Sequence, residues 1–153
     1  MQNILNIISV VAFIMSTISW ILAIFNNSIK LSLEVWDYAQ RFNVVQLYIY
    51  FQNNSGKYLT ITGVSIIEDQ IKRPCKLIPS TIRTKNNKPF IETPYLPVNL
   101  SPHQGVCFAF EFLNCLDIAL SPGKNLALEI YTNRKALKRS VILGNKDHIL
   151  NLR

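Results

Sequence analysis

The chain has 153 residues, 49% of them hydrophobic, and a formal net charge of +7 at pH 7. This composition excludes an intrinsically disordered protein and leaves room for one domain of ordinary size. The three cysteines show no CxxC spacing, and their odd number argues against a disulfide framework and favours a reducing compartment; one disulfide with one free thiol is the alternative. The excess of basic residues is compatible with binding to anionic lipid, with binding to nucleic acid, or with a role in solubility alone.

The first element is an apolar stretch, Ile4–Phe25, that contains no Asp, Glu, Lys or Arg. In a helix of 1.5 Å rise per residue it reaches roughly 30 Å, the thickness of a bilayer core. The sequence therefore predicts a transmembrane anchor over residues 1–27, with the lipid bilayer as its partner. A cleaved signal peptide and a buried core helix are the alternatives, but a basic n-region and a small-x-small cleavage site are absent.

The orientation of this anchor is predicted from the charges that follow it. Lys30 and Arg41 lie within the distance over which basic residues set topology, and the only positive group before the span is the N-terminal amine. The charge rule thus favours a single-pass protein of the cell membrane whose soluble domain is cytoplasmic.

The next elements have the period-two alternation of half-buried strands. We predict a strand over 31–36 that ends before Asp37, and a core strand over 45–52. The turn residues of 53–56 then predict a hairpin that returns through 58–62, with a bulge at Gly63.

The rest of the chain continues in the same style. Short apolar runs separated by Pro, Gly and Asn predict a short edge strand near 77–82 and core strands over 106–112 and 126–131, with a return over 139–143. Residues 28–153 are therefore predicted to form an all-β domain, an immunoglobulin-like antiparallel β-sandwich of seven to eight strands. A last edge strand at 149–152 is left open.

Three runs carry a resemblance: IYFQNNSGKYLTITGVSI, LPVNLSPHQGVCFAFEF and LALEIYTNRKALKRSVIL. With the N-terminal helix, they are similar to small Gram-positive or prophage-type membrane-anchored proteins with an immunoglobulin-like β-sandwich. The matching motifs are the residues that form turns and the alternation of apolar core residues along the strands. The resemblance implies a style of fold and no activity, so no site residue is transferred from it.

No motif of a known chemistry is present, and we predict no catalytic residue, no cofactor and no metal. His103 and Cys107 are the nearest approach to a thiol–base pair, but no third group orients them. The cysteines Cys75, Cys107 and Cys115 lack the close-paired spacing of structural zinc sites.

Two sets of side chains are candidate contacts. Six basic residues are predicted to touch the membrane surface if their loops converge: Lys72, Arg73, Arg134, Lys135, Lys138 and Arg139. Three aromatic residues, Trp36, Tyr48 and Tyr50, are predicted to touch a protein partner. The alternatives are a scattered solvated surface for the first set and packing under a neighbouring strand for the second. Nucleic acid is disfavoured as a partner.

The function predicted from the sequence is that of a membrane-anchored binding module that is not an enzyme and whose protein partner is unidentified. A phage-type superinfection-exclusion or host-interference protein is the alternative, and it depends on the resemblance alone. A cysteine-dependent enzyme is the remote alternative.

Overall fold

A computed structural model describes residues 2–85 and 88–144, and the chain divides into two compact units, Met1–Lys30 and Leu31–Arg153. The first, the helical unit, contains one helix, α1 (Gln2–Asn27). The second, the β unit, contains the strands that the structure describes.

Helix α1 is apolar on every side. No residue of the stretch Asn6–Ala23 is buried within the structure, and large side chains such as Phe13 (74%) and Trp20 (73%) are highly exposed. The Thr17 hydroxyl donates to the carbonyl oxygen of Phe13 (2.7 Å), which satisfies this polar group inside the helix. The helix is long and apolar enough to cross a membrane. Its exposure shows that it is not the buried core helix that the sequence left as an alternative.

The described part of the β unit contains ten strands, more than the seven or eight that the sequence predicted. In chain order they are β1 (Leu31–Arg41), β2 (Val44–Asn53), β3 (Leu59–Glu68), β4 (Ile71–Pro74), β5 (Thr81–Lys85), β6 (Lys88–Glu92), β7 (Val98–Leu100), β8 (Gly105–Phe112), β9 (Asn125–Thr132) and β10 (Ala136–Ile142).

These strands form antiparallel sheets. Sheet A has the order β1-β2-β8, and sheet B has the order β10-β9-β3-β4 with β7 also paired to β3. Strands β5 and β6 pair only with each other, as a separate hairpin. The predicted all-β, antiparallel character of this region is confirmed.

The core consists of the apolar residues that alternate with polar ones along the strands. Its largest fully buried members are Phe51, Phe110, Phe112, Leu47, Ile49, Leu59, Ile61, Ile66, Leu100, Ile118, Leu126 and Leu128. Apart from Ile118, which lies between β8 and β9, they are on the buried face of their strands, as period-two patterning requires. The predicted core strands 45–52, 106–112 and 126–131 are therefore confirmed, and so is the bulge at Gly63, where the register of β3 against β9 shifts.

The predicted hairpin between β2 and β3 is wrong, because the two strands belong to different sheets. The connection is an arch that is organised by Asn53, whose side chain is fully buried. Its amide Nδ2 donates to the carbonyl oxygens of Lys57 (2.8 Å), Ser101 (3.1 Å) and Leu100 (3.3 Å). Its Oδ1 accepts from the hydroxyl (2.6 Å) and the backbone N–H (3.1 Å) of Ser55.

Two further predictions need correction. Strand β1 does not end before Asp37 but continues to Arg41 beyond a bulge. The polar segment Ile71–Pro74, read as a loop, forms the short strand β4 beside β3. The proposed edge strand at 149–152 lies outside the described residues.

Candidate binding face of the β unit

The candidate site begins with the bulge in β1. Val35 lies opposite Ile49 and Asp37 lies opposite Tyr48, so Trp36 is the extra residue without a partner on β2. A bulge of this kind re-aims the side chain of the inserted residue. Before the bulge Val35 faces the core, and after it Tyr38 does, which leaves the Trp36 ring on the outer face of sheet A.

Three aromatic rings meet on this face. The Trp36 ring stacks on that of Tyr50, with centroids 4.9 Å apart and an interplanar angle of 12°. The Tyr48 ring meets Trp36 edge-on at 6.5 Å. The structure thus brings together all three of the sequence-predicted partner contacts, which we call the aromatic cluster. The indole N–H donates to Glu34 Oε2 (3.2 Å), yet Trp36 remains 37% exposed.

Gly105 makes room for this cluster, a role that sequence reasoning missed. Gly105 lies on β8 opposite Gln52, and a Cβ added to it would overlap the Tyr50 hydroxyl and come within 2.7 Å of the ring carbon Cζ. The close approach of the Tyr50 ring to the backbone therefore requires glycine here. The sequence signal that could have indicated this close approach is the glycine at the start of the predicted strand 106–112.

A cleft of about 180 Å³ adjoins the cluster. The β5–β6 hairpin forms one wall, since Ile82 and Ile91 pack against Ala109 with Ala39 and Tyr48 beside them. The lining residues are Tyr48, Ile91, Glu92, Cys107, Phe108 and Ala109. Pockets for small molecules usually measure about 300–1,000 Å³, so this cleft suits a single inserted side chain better.

The thiol of Cys107 opens onto this cleft. Its hydrogen-bonding side chain is Tyr48, and burial raises the pKa of the thiol. Burial, followed by the neighbouring Cys107, likewise raises the pKa of the Tyr48 hydroxyl. A catalytic cysteine needs a lowered pKa, because the thiolate is the nucleophile. Burial therefore favours the thiol form of Cys107 over the thiolate.

The other members of the sequence-derived thiol and metal hypotheses are dispersed. His103 is exposed in the turn between β7 and β8, at a positive φ of 58°. Cys75 and Cys115 are free and buried, and burial raises the pKa of each thiol. Within residues 2–85 and 88–144, no three His, Cys, Asp or Glu side chains are grouped in the way that a metal ion requires.

The six candidate basic residues do not all gather at one place, although Lys72 and Lys138 both lie beside Glu129. Arg134 and Lys135 are exposed in the β9–β10 hairpin, where Arg134 Nη2 donates to the Tyr58 carbonyl oxygen (3.4 Å). Arg73 is at the opposite end of the β unit and only 7% exposed. Its Nε donates to the Asn114 carbonyl oxygen (2.9 Å) and its Nη2 pairs with Asp117. Arg73 is thus buried and held by contacts within the β unit.

Lys72 and Lys138 flank a carboxylate that the sequence did not single out. Glu129, whose side chain is 5% exposed, pairs with Lys72 Nζ (2.6 Å) and accepts from the Tyr131 hydroxyl (2.6 Å). Lys138 lies directly opposite Glu129 on β10. The hydrogen bonds from Lys72 and Tyr131 lower the pKa of Glu129. Arg139 follows on the same strand, exposed, and donates to the Lys138 carbonyl oxygen.

The chain matches no protein-family model and no curated protein sequence. The chemistry of the site therefore has to be argued from its own residues.

Proposed function

We propose that this protein is a single-pass, membrane-anchored binding protein that captures a protein partner through the aromatic cluster and performs no chemistry itself. One observation carries the proposal. An indole stacked on a tyrosine lies exposed on the outer face of sheet A, beside a cleft that fits one side chain. Tryptophan and tyrosine next to such a pocket are typical of the anchor residues of protein interfaces.

The aromatic cluster does more than stabilise β1 against β2. A stacked pair adds about 0.5–1.5 kcal/mol beyond area burial, and burying the Trp36 ring fully would add further stability. The ring is left exposed instead, with its polar N–H already satisfied by Glu34. A partner that covers the ring therefore gains apolar burial without losing a hydrogen bond.

The anchor role is supported by α1 and by its surroundings in the sequence. A helix of this length and composition has no soluble face to present, so a bilayer is its natural solvent. We place the β unit on the cytoplasmic side, which agrees with Lys30 and Arg41 after the span and with three free cysteines.

We further propose that the β unit is an immunoglobulin-like sandwich. An immunoglobulin domain has strands A, B and E adjacent in one sheet and strands G, F and C adjacent in the other. The order β1-β2-β8 corresponds to A-B-E, and the order β10-β9-β3 corresponds to G-F-C. In this correspondence β4 continues the second sheet beyond C, and the β5–β6 hairpin is inserted between C and E.

Site-specific photo-crosslinking in living cells tests the binding role. A photoreactive phenylalanine analogue replaces Trp36 in one variant and Tyr95 in a matched control. Tyr95 is also an exposed aromatic residue but is not in the cluster. We expect a discrete crosslinked band from position 36 that is weak or missing from position 95, and that is lost when Tyr50→Ala is added. Equal crosslinking from both positions would contradict the proposal.

Membrane extraction tests the anchor. The full chain should stay with the membrane in alkaline carbonate and leave it in detergent, because α1 is held by the hydrocarbon core. Residues 28–153 expressed alone should be soluble and rich in β-structure. Release of the full chain by carbonate would contradict the anchor without bearing on the aromatic cluster.

A further inference from the structure

The outer edge of β8 is the side of that strand that faces away from β2. In an antiparallel strand the N–H and C=O groups of one residue point to the same side, and this side alternates from residue to residue. The Gln104 carbonyl oxygen accepts from Asn53 on the β2 side (2.9 Å), whereas that of Glu111 accepts from Lys76 on the other side (2.7 Å). Because the register of β8 against β2 is continuous, the odd-numbered residues of β8 direct their backbone groups to the outer edge.

This edge is open at its beginning. The backbone groups of Gly105 and Cys107 that point to it have no hydrogen-bond partner within residues 2–85 and 88–144. Gly105 is exposed and Cys107 is half-buried, so another chain can reach both. Further along, Ala109 is buried beneath the β5–β6 hairpin, and Glu111 is already paired with the segment after β4. We call Gly105–Cys107 the open edge.

The open edge lacks the features that usually prevent strand pairing. Proteins protect the outer strands of a sheet with charges, prolines, bulges or a short length. The other outer strands of sheets A and B have such a feature: a bulge at Trp36 in β1, Pro74 in the four-residue β4, a length of three residues in β7, and Lys138 with Arg139 in β10. The open edge and the residues after it, Val106–Phe110, contain no charge, no proline and no bulge. This part of β8 is therefore suited to accept a further strand.

We propose that the partner captured by the aromatic cluster adds an extended segment to the open edge, as a fourth strand of the three-stranded sheet A, with a lysine or arginine side chain in the cleft. The inference rests on the proposed function and specifies the form of the partner. The added strand exchanges backbone hydrogen bonds with Gly105 and Cys107. Its residue opposite Cys107 directs a side chain to the same face of the sheet as the Cys107 thiol, and the cleft opens on that face.

The lining of the cleft specifies this side chain. Tyr48, Ile91, Phe108 and Ala109 provide apolar walls, which suit the methylene stem of a long side chain. Glu92 also lines the cleft, is exposed, and has no ion pair among the described residues. A carboxylate beside apolar walls matches the cationic end and the apolar stem of lysine or arginine.

The open edge is continuous with the aromatic cluster. Tyr48 belongs to the cluster and also lines the cleft. The Tyr50 ring lies so close to Gly105 that an added Cβ would overlap its hydroxyl. A strand on the open edge therefore has side chains next to both tyrosines of the cluster, and the same partner can cover the Trp36 ring.

A second copy of this chain is the competing occupant, since an antiparallel edge can pair with itself about a two-fold axis. In that arrangement Gly105, Cys107 and Ala109 of the second copy lie on the cleft side of the sheet. Their side chains are too small to fill a cleft of about 180 Å³. The cleft therefore favours a partner strand with a long side chain over a second β8.

Binding of synthetic strands to the full chain in nanodiscs tests the inference. The probe is a fluorescent peptide, Thr-Thr-Val-Arg-Val-Thr-Thr, whose residues favour an extended backbone. One variant is methylated on the amide nitrogen of the arginine, and the matched control on that of the following valine. With the arginine opposite Cys107, the first methyl group removes a hydrogen bond to the open edge, whereas the second points away from it. By fluorescence anisotropy, we expect the first to weaken binding about tenfold and the second less than about twofold.

A change of charge tests the cleft. Replacing the arginine of the probe by glutamate should weaken binding about tenfold, because it brings two carboxylates together. The net charge of +7 would by itself favour the glutamate peptide, so a preference for arginine reports on the local carboxylate. Glu92→Gln should remove this preference. Asp69→Asn, which neutralises an exposed carboxylate in the β3–β4 turn, should leave it unchanged.

Crosslinking from position 36 in cells separates this inference from the proposed function. Cys107→Pro removes the N–H group from the open edge, and we expect it to abolish the crosslinked band. Cys107→Ala, which loses the same thiol but keeps the N–H group, should retain the band. Proline is compatible with a strand position whose N–H faces away from its neighbour. An unchanged near-ultraviolet circular dichroism spectrum of Cys107→Pro shows that the aromatic cluster is intact.

Equal binding of the two methylated peptides, or no binding of the unmodified probe, would overturn the inference. A band from position 36 that persists in folded Cys107→Pro would also overturn it and leave the proposed function standing. Oxidative linkage of Cys107 between two copies, without binding of the probe, would assign the open edge to a second copy instead. The lack of any band from position 36 in an otherwise unchanged chain would contradict the proposed function itself.

Discussion

At the scale of single residues, Asn53 holds the arch between the two sheets. Its buried amide satisfies three carbonyl oxygens, two of which belong to the β7–β8 region about 47 residues further along the chain. Asn54, its neighbour, is exposed and makes a hydrogen bond to Ser32 Oγ (2.9 Å). These adjacent asparagines form a natural matched pair.

Asn53→Ala should lower the free energy of unfolding by about 3 kcal/mol, since it leaves several buried groups without their partner. Asn54→Ala should cost less than about 0.5 kcal/mol. Urea unfolding of the full chain in mild detergent, followed by tryptophan fluorescence, measures both. Similar losses for the two variants would show that the arch does not depend on the buried amide.

Glu129 predicts a pH dependence. Its pKa in the native protein is lowered from the ordinary value of 4.5, chiefly by the hydrogen bond from Lys72. A lowered pKa contributes stability that is complete above about pH 5 and is lost as the pH falls through the native pKa. Glu129→Gln should therefore be less stable than the wild type at pH 7, and the difference should shrink towards pH 3.

Urea unfolding across this pH range measures the effect of Glu129→Gln. Tyr131→Phe, which removes one hydrogen bond and leaves the charge pair, should show a smaller difference with the same trend. A wild-type–variant difference that is constant from pH 7 to pH 3 would contradict this account of Glu129.

At the scale of elements, sequence patterns predicted the strands that are buried on one face. In β2, β8 and β9 every second residue is apolar, so the period is visible without knowledge of the neighbours. The predicted strand β1 was too short because the bulge at Trp36 shifts the alternation of buried and exposed side chains by one residue. Strand β4 was missed because it is four residues long and largely polar.

The prediction of a hairpin between β2 and β3 was wrong for a different reason. Asn, Ser and Gly are typical of tight turns, and this local chemistry is the same for a hairpin and for an arch. What separates the two is the set of hydrogen bonds from Asn53 to Leu100 and Ser101, which no local pattern encodes. Likewise, alternation places Tyr48 and Tyr50 on one face, but the contact of both with Trp36 depends on strand pairing.

The packing of β8 beneath the aromatic cluster gives an element-scale prediction. Gly105→Ala should push the Tyr50 ring off Trp36, because the added Cβ would occupy the place of the tyrosine hydroxyl. We expect a weaker near-ultraviolet circular dichroism signal from the stacked rings and a loss of stability of about 1 kcal/mol, the value of one aromatic pair. Adding Gly105→Ala to Tyr50→Ala should change neither quantity further. An additive loss would mean that Gly105 supports something other than the ring.

At the scale of the whole molecule, the side of the membrane on which the β unit lies is testable with thiol labelling. The native cysteines are poor probes, since Cys75 and Cys115 are buried and Cys107 is half-buried in the cleft. Ser121 lies in an exposed segment between β8 and β9, where we expect replacement by the similarly sized cysteine to cost little stability.

In a Cys107→Ser background, Ser121→Cys should react with a membrane-impermeant maleimide only after the cells are permeabilised. This follows from the positive-inside rule applied to Lys30 and Arg41. Buried Cys75 and Cys115 provide the unreactive baseline in the same chain. Full labelling of intact cells would place the β unit on the outer side.

The bulge at Trp36 also bears on how such a protein changes by insertion and deletion. Removing a residue from the middle of a regular strand turns every later side chain to the opposite face. Removing Trp36 does not, because Val35 and Asp37 already lie opposite consecutive residues of β2. A gene that loses this one codon therefore still encodes the same core but no longer the exposed indole. At this position the residue that we propose as a binding anchor and the residues of the core are therefore lost independently of each other.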